Sequence, residues 1–205
     1  AVAAQASLPE MPVIALDSAS AFGAVAQQVG VGLAIGFAVR LVFSAVELAG
    51  EVIGFQMGLN FASFFDPMIN AQSSATARFF GQIAALLFLA VNAHLWLVMA
   101  ITQSFHAFPV DQNFLHAAQG MAMYQLGAEL FASALWIALP MVGIMLFVNL
   151  ALGIISRVAP QMNIFAVGFP VTLVVGMLGI AATLPMLDRP YMALMEKAIT
   201  VFHGG

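Results

Sequence analysis

Four long apolar stretches, separated by short polar or proline-containing ones, run along this chain. From Ser20 to about Asn60 there is one Arg, two Glu and no proline, which predicts a helix. At ~1.5 Å per residue it would extend roughly 60 Å, about twice the hydrocarbon thickness of a bilayer. Such a segment must break, tilt strongly or project beyond the bilayer alongside protein partners. A second stretch, Ile83 to Ile101, is interrupted only by Asn92 and His94 and has the length of one crossing. The third, Ala128 to Ile155, holds Pro140, and the fourth, Ile164 to Met186, holds Pro170; both prolines remove a helix donor and predict kinks. The connector around Ala159-Pro160-Gln161 is so short that residues 128–186 should form an antiparallel helical hairpin.

Between these stretches, residues 68–78 read as a loop or short amphipathic link, and residues 104–116 as a turn outside the hydrocarbon. The tail 188–205 sets Asp188, Arg189, Glu196 and Lys197 at amphipathic spacing, as expected at a surface or against a partner. Residues 1–19, with Pro9 and Pro12, should be irregular, and 20–205 should make a single membrane domain. The fold class is therefore an all-α integral membrane protein of long kinked helices and helical hairpins.

Composition fixes the solvent. Of 205 residues 63% are hydrophobic and 7% charged, at a mean hydropathy of +1.04; soluble domains are roughly half apolar and a quarter charged. The absence of cysteine excludes disulfides, Cys-based metal centres and thiol catalysis. Net charge is -4 and the five bases are scattered, so no basic patch exists for nucleic acid. The chain opens on Ala1 without a basic leader, and a preceding segment is expected.

Chemistry has few places to sit. Ser104, His106 and Asp111 are the ingredients of a hydrolase triad, but no nucleophile elbow or strand scaffold presents them. His106 and His116 lack the spacing and third ligand of a zinc site, and no metal or cofactor is expected. Gly30, Gly32 and Gly36 sit inside a hydrophobic helix with the wrong last spacing for a dinucleotide loop. Asn92 and His94 suit hydrogen bonding between helices.

On a helix, Gly36, Arg40, Ser44, Glu47, Glu51, Gly54 and Gly58 fall within about 40° of one line. This polar, small-residue stripe should meet another helix or a wet cavity, because ions facing lipid are costly. Gly32 with Gly36, and Gly50 with Gly54, have the spacing that lets helix backbones approach. Arg40 could pair with Glu47, leaving the stripe a packing surface. Alternatively Glu47 and Glu51, like charges one turn apart, could serve an ion or proton path, or face cations of another chain. Farther on, Asn149, Gly153 and Arg157 share a face. The run from Glu51 to Asp66-Pro67 differs from an ordinary crossing. It is uncharged between its ends, rich in glycine and phenylalanine, and stopped by a pair that disfavours helix.

Several blocks in order carry a resemblance: Ala49-Gly50-Glu51-Val52-Ile53-Gly54-Phe55-Gln56-Met57-Gly58-Leu59-Asn60-Phe61-Ala62, Asp66-Pro67 and Asn92-Ala93-His94-Leu95-Trp96-Leu97. Asn149-Leu150-Ala151-Leu152-Gly153, Arg157-Val158-Ala159-Pro160-Gln161, Ile164-Phe165 and Gly168-Phe169-Pro170 follow. Together they resemble the FliR family of flagellar type III export-gate membrane proteins, related to the injectisome SctT proteins. Gln56-Met57-Gly58 resembles the flagellar branch. Asn60 departs from the usual serine, and the family carries further hydrophobic helices before the point where Ala1 stands.

The resemblance implies a non-enzymatic subunit of a protein-conducting gate in the bacterial inner membrane at the flagellar basal body. It implies assembly with FliP and FliQ, association with FlhB and FlhA, and passage of unfolded rod, hook and filament proteins. The implied fold is a FliP-like portion followed by a FliQ-like hairpin, here residues 128–186. It gives Met57, Gly58, Leu59, Phe61, Phe64 and Phe65 the role of closing the pore. Arg40, Glu47, Glu51 and Arg157, singled out by their own spacing and charge, are expected in the buried polar stripe or at contacts between subunits. An SctT-type subunit is one alternative. Another is a self-sufficient secondary transporter using Arg40, Glu47 and Glu51, although no internal repeat of the transporter kind is visible. A third is a scaffold that only holds other subunits together.

Overall fold

A computed structural model of the chain describes residues 19–59, 74–107, 123–161 and 163–200. The described elements are α1 (Ala19–Gln56), α2 (Ala75–Ala90), α3 (Ala93–Ala107), α4 (Met123–Val158), α5 (Ile164–Thr183), a 3-10 turn (Leu184–Met186) and α6 (Asp188–Thr200). No strand occurs among the described residues. Phe61, Phe64, Phe65, Asp66-Pro67, Asp111 and His116 lie outside them.

α1 runs unbroken for 38 residues, about 57 Å at 1.5 Å per residue. Of the three ways to use that length, an internal break is ruled out. Val31, Ile35, Ala38, Val42, Ala45, Ala49 and Ile53 form one buried seam at intervals of three and four, while Phe22, Leu33 and Phe37 stay exposed. The helix ends at Gly58, whose φ of +76° is the left-handed cap that a residue without Cβ adopts most easily. Its N–H reaches the Phe55 carbonyl at 3.1 Å.

The next stretch adds two features to the expected pattern. The polar link 68–78 contains a helix start, because Ser74 accepts the Ala77 N–H at 3.1 Å and so caps α2. At Ser74 the polarity marks a cap. The span 83–101 is not one straight crossing, since the chain breaks after Ala90 and α3 leaves bent by 71°. Asn92 makes the break possible by taking φ +56°, a conformation asparagine tolerates better than other side chains. Its N–H bonds Leu89 O at 3.1 Å and its carbonyl receives Leu95 N–H at 2.9 Å, so the interruption leaves neither group unpaired.

Contacts divide the chain into two compact units, one of Ala1–Val42, Phe88–Leu130 and Met192–Gly205, the other of Phe43–Leu87 and Phe131–Tyr191. Within the second unit α4 and α5 are antiparallel: a Cβ at Gly179 would meet Met141 and Ile144, and one at Gly168 would stand 3.6 Å from Leu152. Pro140 and Pro170 sit inside these helices, which continue past them. Trp136, Phe147 and Val158 on α4 are largely exposed, a surface suited to lipid or to other helices and not to water. Among the described residues three helices are long and apolar enough to cross a membrane, or up to four if the bent α2–α3 pair is one span.

α6 buries Tyr191, Leu194, Met195, Ala198 and Ile199 on one face within the chain itself. In the first unit Lys197 pairs with Glu129 at 2.7 Å, but both side chains are well exposed; such a pair contributes less than ~1 kcal/mol. The Tyr191 hydroxyl is buried and has no hydrogen-bond partner among the described residues. Burial holds its pKa well above the ordinary tyrosine value.

Two outcomes follow from these positions. Asn92→Ala should lower stability by ~1 kcal/mol while Asn92→Gly is tolerated, read as shifts in thermal midpoint through tryptophan fluorescence. For Tyr191 the unfolded chain gains by ionising above pH ~10 and the folded chain does not, so stability should fall from there upward. Tyr191→Phe should remove that fall and raise stability at neutral pH by ~1 kcal/mol.

Candidate functional site

The end of α1 and the start of α2 meet in the second unit. Ser74 Oγ donates to a Glu51 carboxylate oxygen at 2.6 Å, and Ser74 N–H approaches the same oxygen at 3.4 Å. Because the single Ser74 hydroxyl proton goes to Glu51, the Thr76 hydroxyl, 3.0 Å away, is left to donate to Ser74 Oγ. With the Ala77 N–H as well, Ser74 uses its full hydrogen-bonding capacity. A 2.6 Å bond to a carboxylate belongs to the short, charge-assisted class.

Glycines bring the same two helices together. A Cβ at Gly50 would stand 2.9 Å from the Phe80 ring, and one at Gly81 would stand 3.1 Å from Oε1 of Glu47. As the α1 number falls the α2 number rises, so the two helices run antiparallel here. Gly54 is buried.

Met57, just past the end of α1, is 1% exposed. Its side chain occupies a notch on α5 that exists because residue 176 is glycine: a Cβ there would lie 2.5 Å from Met57 Cε and 2.6 Å from Cγ. Thr172 Oγ shares its proton between Phe169 O at 3.0 Å and the Met57 carbonyl at 3.4 Å. Leu59, two residues on, is 36% exposed.

Other residues singled out by sequence are placed elsewhere. Arg40 is exposed in the first unit, and Arg157 is exposed in the last turn of α4. No atom comes within 4 Å of a Cβ at Gly32 or Gly36, measured among the described residues; both border a groove of about 270 Å³ with Val31, Ile35, Leu97 and Ile101. His94 has its ring 6.4 Å from that of Phe88, and its Nδ1 is buried without a partner among the described residues. Ser104 donates to Ile101 O at 2.8 Å, a local back-bond along its own helix. No cluster able to hold a metal occurs among the described residues.

Sequence reasoning missed Ser74, Phe80, Gly81, Thr172 and Gly176. Only Ser74 had a local signal, a hydroxyl residue directly before an apolar run. The notch at Gly176 pairs two distant positions and leaves no local trace.

These features define an all-α integral membrane protein with two antiparallel helix pairs joined through the end of α1. The family described as "Bacterial export proteins, family 1" matches residues 1–198. Flagellar biosynthetic protein FliR of Escherichia coli (strain K12) is 42% identical over 161 residues, 78% of this chain and 62% of that protein. FliR of Buchnera aphidicola subsp. Acyrthosiphon pisum is 33% identical over 180 residues, 88% of this chain and 69% of that protein. FliR of Bacillus subtilis (strain 168) is 37% identical over 148 residues, 71% and 57% of the two chains. The chain belongs to this bacterial export family, the FliR family. It spans 62% of the length of its Escherichia coli and Pectobacterium relatives.

Gly176→Ala sets two effects against each other. Alanine gains ~0.5–1 kcal/mol within a helix, whereas forcing Met57 out of a packed notch costs ~1–3 kcal/mol. The clash should prevail, giving a net loss of ~1 kcal/mol or more in thermal unfolding of the purified protein. Met57→Ala added to Gly176→Ala should recover part of that loss.

Proposed function

We propose that this chain acts as a pore subunit of the flagellar type III protein export gate. The observation that carries the reading is 42% identity to a flagellar biosynthetic protein FliR across 78% of the chain. In this reading it works in the bacterial inner membrane at the flagellar basal body, within a complex with FliP and FliQ that FlhB and FlhA join. Its cargo is unfolded flagellar protein. It acts by conduction and closure, not by chemistry on a substrate. The exposed apolar surface of α4 and the exposed Arg40 and Arg157 suit contacts with neighbouring subunits.

Closure falls to the stretch from Met57 to Phe65. A ring of apolar side chains blocks ions by excluding water, yet yields to a polypeptide that supplies its own contacts. With Met57 buried against α5, it serves as the fixed point of that stretch. Leu59, Phe61, Phe64 and Phe65 supply the bulk, and Gly58, at positive φ, turns the chain away from α1.

Replacing Phe61, Phe64 and Phe65 together by Ser in the full-length protein should open a leak to small ions while the complex still assembles. Conductance of the cell membrane and co-purification with the partner subunits measure the two halves of that outcome. A tight membrane around an assembled complex would overturn the closure assignment.

A further inference from the structure

We infer that Glu51 and Ser74 form a clasp, and that Met57 with Thr172 and Gly176 forms a second anchor. These five are positioning residues that hold the end of α1 against both α2 and α5. For its functional consequence this inference rests on the sealing role proposed for the stretch after Met57; the anchoring itself is read independently of that role.

The geometry argues for a clasp and not an incidental contact. Glu51 lies in the next-to-last turn of α1, and Ser74 is the cap of α2. The 2.6 Å bond between them joins positions 23 residues apart in sequence. Ser74 is fixed from three sides by Glu51, Thr76 and Ala77, so it cannot turn toward another acceptor without giving up bonds it already makes. The first turn of α2 is thereby referenced to α1: moving the carboxylate moves the cap.

The second anchor works on the other partner helix. Thr172 approaches the Met57 carbonyl, and the Met57 side chain fills the notch at Gly176. A carbonyl at a helix end has no partner within its own helix, and here a hydroxyl of α5 offers one. The clasp sets the separation of α1 and α2, and the notch sets the register of the α1 terminus on α5. Met57 and Ser74, the described residues that flank this stretch, are each held against a partner helix.

The test uses the full-length protein purified with its membrane partners. Hydrogen exchange is followed in peptides covering 52–58 and 74–80, and ion leak is measured in cells. Glu51→Ala and Ser74→Ala should each speed exchange of the amides at 75–78 by about tenfold. The double variant should exceed neither single variant by more than about twofold. Ser74→Thr, which keeps the hydroxyl, should exchange like the parent, and Glu51→Gln, which keeps one acceptor oxygen, should fall between. Should Glu51→Ala fail to assemble, Glu51→Gln carries the same comparison.

Ser74→Ala raising exchange while Glu51→Ala leaves 74–80 unchanged would overturn the clasp and leave Ser74 a simple cap. Additive effects would overturn it as well. Faster exchange with a leak, in an assembled complex, supports both the anchoring and its role in the seal. Faster exchange with a tight membrane overturns that role if the triple Phe variant leaks; if that variant is also tight, the sealing reading fails and the anchoring stands.

Discussion

Inside a membrane a backbone N–H or C=O without a partner costs several kcal/mol, roughly as much as many core contacts return. The interruptions of helix described here can each be read as a local answer to that cost. Asn92 turns the chain through 71° while its own N–H and carbonyl stay bonded. Ser74 supplies an oxygen to an amide at the head of α2, and Gly58 closes α1 onto Phe55. Thr183, at the end of α5, turns its hydroxyl back to Gly179 O at 2.9 Å. At these four places a small or hydrogen-bonding side chain is available.

Packing between helices follows a second rule. Where two helices come close, one offers a glycine and the other a long or bulky side chain: Gly50 and Phe80, Gly81 and Glu47, Gly176 and Met57, Gly179 and Met141. In lipid, association gains little from burying apolar surface, so close contact must supply the attraction. A glycine removes the obstacle and a methionine, unbranched and polarizable, fills the irregular space left. Two of the four pairs use methionine, and in both the glycine lies on α5.

The long apolar runs made α1, α4 and α5 legible, because a stretch of such composition has few states open to it other than a membrane-embedded helix. The short connector before Asn163 likewise left α4 and α5 little choice but to turn back on each other. The α2–α3 bend was not legible in hydropathy, since one asparagine in an apolar run looks the same whether it bonds across helices or bends its own. Ser74 was hidden in a polar stretch for the same reason: capping and looping call for the same residues. At the site, Glu51 was singled out for its charge, and the hydroxyl of Ser74 that it receives gave no such signal. The glycine spacing that drew notice at Gly32 and Gly36 borders an open groove, whereas the glycine that receives Met57 sits in α5 with no sequence feature to distinguish it. Repeated spacing identifies a helix face; it does not name what that face meets.

The notch at Gly176 bears on how this chain can change over generations. Size at position 176 and length at position 57 draw on the same volume, so a branched or larger residue at one is admissible only with a shorter one at the other. Drift at either site alone is penalised, and the two should be inherited as a unit across divergent relatives. A joint change at the two would mark the contact between the end of α1 and α5 in diverged relatives.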